Sequence, residues 1–169
     1  MPPATAILDH TDKPLLLDGG MGRELRGRGV DIMTSIWSAN ALITAPQTVK
    51  EIHTDFITAG ADIITTNTYG IIRSDLAKVD LEHRFKDLNL LACDLAKQAC
   101  QESDRTVLVA GSLPPLAGSF RPDLVGEIKK ITPLYQEQAD LLAAHVDLFL
   151  CETMSSASEA KAATMAACR

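Results

Sequence analysis

An α/β fold with parallel strands is predicted for the 169-residue chain by three features of its sequence. Short apolar segments alternate with longer segments of helical periodicity, four times over. The short segments are continuously apolar, as strands covered on both faces are, instead of alternating as half-exposed strands do. The loops after the first and third apolar segments are longer than the helix-to-strand returns, and parallel α/β proteins carry their chemistry on such loops.

Each element has its own signal. Pro14–Gly20 is an apolar run that ends in an acid and two glycines, which predicts a buried strand running into a tight turn. From Pro46 to Gly60, Val49, Ile52, Phe56 and Ile57 recur at helical spacing, with Gly60 as the stop. Ala61–Tyr69, rich in β-branched residues and polar at its end, predicts the second strand. A helix follows from about Leu81 to Gln101 on the stripe Leu88, Leu91, Ala92, Leu95 and Ala99. Thr106–Ser112 is the third strand, closed by Pro114 and Pro115, which cannot continue a ladder. Pro133–His145 predicts a helix, Val146–Thr153 the fourth strand, and Ser155–Arg169 a last helix opening on hydroxyl residues suited to an N-cap.

Composition narrows the function. With 22 acidic residues against 16 Lys plus Arg, the formal charge is -6. Such a balance offers no phosphate-tracking surface, so nucleic acid is not an expected partner. No apolar run reaches the roughly 18 to 20 residues that span a bilayer, and Met1–Pro14 lacks the basic start and apolar centre of a leader. A cytoplasmic location with Cys93, Cys100, Cys151 and Cys168 as reduced thiols is therefore expected. Cys93 and Cys100 lie two turns apart on one helix face, a spacing that suits core packing better than a zinc knuckle.

In a parallel sheet every strand points the same way, so the residues that end the four strands share one rim. They are Asp18, Asn67, Ser112 and Glu152, 40 to 49 residues apart. An acid that directly continues a buried apolar run is costly unless it faces a wet pocket or a charged ligand. Asp18 and Glu152 are thus expected to face a ligand, Ser112 reads better as turn chemistry before the proline pair, and Asn67 lies between the two. Two acids beside the free N–H groups of Gly19 and Gly20 could hold the ammonium and the carboxylate of an amino acid. Gly19–Gly22 fits neither a dinucleotide fingerprint nor a P-loop. Arg23, Arg26 and Arg28 read as a solvated face, His53 as a packed or surface histidine, and Trp37 as either a mouth residue or a core or lid anchor.

Five segments carry a family likeness: 15–25 (LLLDGGMGREL), 36–38 (IWS), 59–69 (AGADIITTNTY), 111–115 (GSLPP) with 120–124 (FRPDL), and 150–154 (LCETM). In this order they resemble the homocysteine S-methyltransferase family, which includes betaine-homocysteine methyltransferase and the S-methylmethionine-dependent enzymes. The resemblance implies a (β/α)8 TIM-type barrel of which this chain supplies the first four βα units. It implies methyl transfer from a sulfonium, ammonium or folate-type donor to homocysteine, giving methionine. It further implies Asp18 and Glu152 as receivers of the homocysteine amino group, Gly19 and Gly20 as the turn that meets its carboxylate, and Asn67 as polar support.

The family's zinc is held by three cysteines, one in an Asn-Cys pair and two in a Gly-Gly-Cys-Cys segment, and neither segment occurs in these 169 residues. Residues 1–169 are accordingly expected to be a partial homocysteine-binding domain, truncated after its fourth βα unit. No zinc, no catalytic or metal-holding residue and no turnover are expected of this chain alone. Self-association through open barrel edges is expected. The rival readings are a non-catalytic remnant binding homocysteine or another amino acid, an interaction half-domain, and a different barrel enzyme that binds a pterin at the same rim.

Overall fold

In the computed structural model, which describes residues 14–168, ten regular elements follow the predicted alternation, with short helices added in the loops. The leader reading of Met1–Pro14 falls, Pro14 aside, outside the described residues, as does Arg169. In chain order the elements are α1 (Met21–Gly27), α2 (Ala41–Thr44), α3 (Pro46–Thr58), β1 (Ile63–Thr65), α4 (Arg73–Ala77), α5 (Phe85–Gln101), β2 (Leu108–Leu113), α6 (Ile128–Leu142), β3 (Leu148–Cys151) and α7 (Ala157–Ala167). Strands β1, β2 and β3 form a parallel sheet in sequence order, with Thr65 opposite Ala110 and Ser112 opposite Leu150.

The two-residue period of a strand sorts the side chains. On the outer face, Ile64 and Val109 pack with Ile57, Ala61, Ala96 and Ala99 from the α3 and α5 side. Leu113 joins Tyr135, Leu142, Ala162 and Ala163 of α6 and α7. On the inner face, Ile63, Leu108 and Ala110 form a small cluster with Leu15, Leu148 and Leu150. A fourth body of core, around Leu25, Leu42, Val49, Ile52, Ile71, Leu76 and Leu88, fixes the connecting segments.

Four expectations need correction. The run Pro14–Gly20 is not a buried strand: Leu17 makes one isolated bridge to Ile63, and Leu16 and Leu17 are 54% and 46% exposed. It is nevertheless stitched to the sheet, because Leu16 N–H donates to Asp62 (3.0 Å) and Asp18 N–H to the Ile63 carbonyl (3.0 Å), and Leu15 packs into the inner cluster while Leu16 and Leu17 stay about half exposed. The second strand ends at Thr65 instead of Tyr69, since the Thr68 N–H turns back to the Thr66 carbonyl (2.8 Å). The helix predicted to begin at Pro133 begins five residues earlier, at Ile128. Pro133 and Lys129 both lie on its exposed side, so the bond that proline cannot make costs little there. Finally, the loop after the first strand holds α1, α2 and a 3-10 turn at Trp37–Asn40, whose four to seven residues are too few to show a periodic stripe.

The hydroxyl N-cap of the last helix is present. Ser156 accepts from the Glu159 N–H (3.1 Å), and the buried Glu159 carboxylate accepts from the N–H groups of Ser155 (2.8 Å) and Leu116 (3.2 Å). The Glu159 carboxylate therefore ties the loop after β2 to the loop after β3. No described helix is long and apolar enough to cross a membrane.

Candidate functional site

The inner row of each strand turns from apolar to polar at its C-terminal end: Ile63 to Thr65, Ala110 to Ser112, Leu150 to Glu152. Above the apolar cluster these residues open onto a cleft of about 410 Å³, lined by Asp18, Gly19, Gly20, Asn67 and Glu152 together with Ser38, Thr65 and Tyr69. All five residues singled out for substrate binding in the sequence thus meet at one cleft. Ser112 is completely buried beneath it, within β2, and not in the turn where the proline pair suggested it.

The two acids are held in the same manner, each by a hydroxyl of a neighbouring strand. Asp18 accepts the Thr65 N–H at Oδ2 (2.8 Å) and the Thr65 hydroxyl at Oδ1 (2.9 Å). Glu152 Oε1 accepts the Ser112 hydroxyl (2.5 Å). Burial is the largest influence on Asp18 and raises its pKa; the two bonds from Thr65 act against it, and the charge of Glu152 raises it further. Among the described residues the cleft lining contains no lysine, arginine or histidine. Two carboxylates close enough to repel therefore face a cavity without a cation of the protein's own.

Gly19 lies against the Phe56 ring, where a Cβ would stand 2.8 Å from the ring edge, so only glycine fits without displacing that ring. Neither the Gly19 nor the Gly20 N–H has an acceptor among the described residues. Buried Asn67 donates from Nδ2 to the Ser38 carbonyl (2.9 Å) and so ties the loop after β1 to the 3-10 turn at Trp37–Asn40. Gly70 makes the same approach possible, because a Cβ there would lie 2.1 Å from the Ile36 carbonyl oxygen.

Sequence reasoning missed Thr65, Ser38 and Tyr69. Strand alternation could have found Thr65, two residues beyond inward-facing Ile63; Ser38 and Tyr69 carry no such local signal. Trp37 is not a core residue: it is 63% exposed, on left-handed backbone (φ 50°), next to cleft-lining Ser38. His53 is packed in the core with neither ring nitrogen partnered, and burial lowers its pKa to about 4. Arg23 and Arg26 are exposed, and Arg28 pairs with Asp55 (2.5 Å), as a solvated face should.

The zinc that the resemblance implies does not fit the residues described. Among them no group of three or more His, Cys, Asp or Glu could hold a metal. Cys93 and Cys100 enter different core clusters, and burial pushes their pKa values up to about 12 and about 11. Cys151 turns away from Glu152 into the cluster beneath α6 and α7. Thiols kept protonated by apolar surroundings are poor metal ligands.

Comparison with known proteins accords with this geometry. Residues 15–169 match the family model described as Homocysteine S-methyltransferase. The chain is 33% identical to a homocysteine S-methyltransferase of Escherichia coli, over 95% of this chain and 56% of that protein. It is 30% identical to the homocysteine S-methyltransferase YbgG of Bacillus subtilis, over 96% and 56%. A selenocysteine methyltransferase of Astragalus bisulcatus is 28% identical, again over 56% of its length. Among solved structures, the metallated form of the homocysteine methyltransferase MmuM from Escherichia coli superposes with a TM-score of 0.84 at 32% identity, covering 95% of this chain and 60% of that one. Its oxidized form gives 0.85 at 33% identity, over 98% and 61%. The chain thus spans a little over half the length of the curated relatives it matches.

Proposed function

Because the chain belongs to the homocysteine S-methyltransferase family, we propose that its cleft binds the amino-acid end of homocysteine and presents the thiol for methylation. The observation that carries this reading is the pair of acids, Asp18 and Glu152, on a cleft with no described cationic lining residue. A ligand ammonium between them relieves their repulsion and recovers part of the cost of burying Asp18. The open N–H groups of Gly19 and Gly20 suit the ligand carboxylate, and the inner apolar row with Leu17 and Leu150 suits the methylene chain.

In the whole reaction the homocysteine sulfur gives up its proton and forms a bond to the methyl carbon, while the donor's bond to that methyl breaks and its electrons leave with the donor. These residues orient the nucleophile; no step is assigned to a metal held by them. Residues 1–169 are on this reading the homocysteine-binding half of a barrel domain, working in the cytoplasm, with a methyl donor as the second substrate. The misfit of the described thiols to a metal site favours one second reading, a homocysteine-binding module that does not itself catalyse transfer.

The test is titration calorimetry of homocysteine into the wild-type chain and into Asp18→Asn and Glu152→Gln. Losing a hydrogen bond to a charged group weakens binding by about 1.5 to 3 kcal/mol. Unchanged affinity in both variants would contradict the assignment. Methionine formation, assayed with sulfonium and ammonium donors, separates the enzyme from the binding module.

A further inference from the structure

Asp18 does not reach the cleft as a free side chain, for both of its oxygens are already engaged by one residue. Thr65, the last residue of β1, donates its N–H to Oδ2 and its hydroxyl to Oδ1, at 2.8 and 2.9 Å. Bonds to both oxygens fix the carboxylate plane, and the backbone bond anchors that plane to the sheet. A valine of the same shape would keep the N–H and lose the hydroxyl, so shape alone does not call for threonine here. We infer that Thr65 is the positioning residue that holds Asp18 in its cation-receiving orientation. This rests on the reading of Asp18 as an ammonium acceptor. The titratable groups lining the cleft with Asp18 are Glu152, whose charge acts on it directly, and Tyr69. Removing the hydroxyl takes away one of the bonds that favour the ionised form and leaves burial and Glu152 to act against it.

The experiment compares the 169-residue chain with Thr65→Val and Thr65→Ser, the backbone bond to Asp18 being kept in each. Calorimetry is run with homocysteine and with 4-mercaptobutanoate, which lacks the amino group, and the Asp18 carboxyl is titrated by carbon-13 NMR without ligand. In Thr65→Val, homocysteine affinity falls on the order of five- to twentyfold, 4-mercaptobutanoate affinity stays within about twofold, and the Asp18 carboxyl titrates at higher pH than in the wild type. Thr65→Ser restores both properties, which a merely structural role would not require. Equal weakening of the two ligands, or wild-type homocysteine affinity in Thr65→Val, overturns the inference. A wild-type chain that takes no homocysteine would instead remove the ammonium reading. The ligand-free titration then decides for Thr65 alone: a carboxyl shifted by Thr65→Val upholds its hold on Asp18, and an unmoved one overturns it.

Discussion

At the scale of single residues, the site depends on charges that the fold does not neutralise. Because the Asp18 pKa is raised, chiefly by burial, its carboxylate takes up a proton at a higher pH than an ordinary aspartate does. Homocysteine affinity should therefore fall on acidification, starting at a higher pH than an ordinary aspartate would give, and Asp18→Asn should flatten that fall. His53 gives a second pH effect, on stability. Its folded pKa is lowered from 6.5 to about 4, so between those values the unfolded chain binds a proton that the folded chain refuses. Folding stability is thus lost as pH falls through that window. Replacing the unpartnered ring in His53→Leu should remove this acid-side loss and stabilise the chain by about 1 to 3 kcal/mol at neutral pH. Urea unfolding at several pH values is the check, and an unchanged pH dependence would contradict it. The acids were legible in the sequence because a carboxylate that continues a buried apolar run is expensive; Thr65 and Ser112 were not singled out as their holders because a hydroxyl in a β-branched strand carries no such cost.

At the scale of elements, legibility followed length. The helices α3 and α5 could be read from periodicity, α7 from the hydroxyl residues at its start, and the order of strands from continuous apolar runs. Helices α1, α2 and α4 could not, having four to seven residues and no side-chain N-cap bond. The first strand misled because its apolar composition predicts burial, whereas burial needs a covering element. The approach of the loop after β1 to the 36–40 turn also left little trace in the sequence, being made by Gly70 beneath the Ile36 carbonyl and by Asn67 on Ser38. Gly70→Ala should force that backbone contact apart, costing about 1 to 3 kcal/mol of stability. It should also weaken homocysteine binding, because Ser38 lines the cleft. Wild-type stability and affinity in Gly70→Ala would mean the turn shifts freely and does not shape the site.

Taken as a whole molecule, the chain has a well-packed outer face and an inner face with Leu17 about half exposed and Leu148 and Leu150 only partly covered. An apolar face of this kind beside sheet edges favours pairing between copies. Sedimentation velocity should show concentration-dependent association at micromolar concentrations, weakened by Leu17→Lys; a compact monomer throughout would contradict it. The α/β class was legible because four apolar runs alternate with helical segments, and the shared rim followed from parallel strands alone. Selection of the ammonium of a thiol-bearing amino acid by the two acids is tested by a calorimetric comparison of homocysteine with 4-mercaptobutanoate on the wild-type chain and on Glu152→Gln. The wild type should bind homocysteine at least tenfold more tightly than the amino-free thiol, roughly the worth of one charged hydrogen bond, and Glu152→Gln should narrow that ratio. Equal affinity for the two ligands in the wild type would contradict the account.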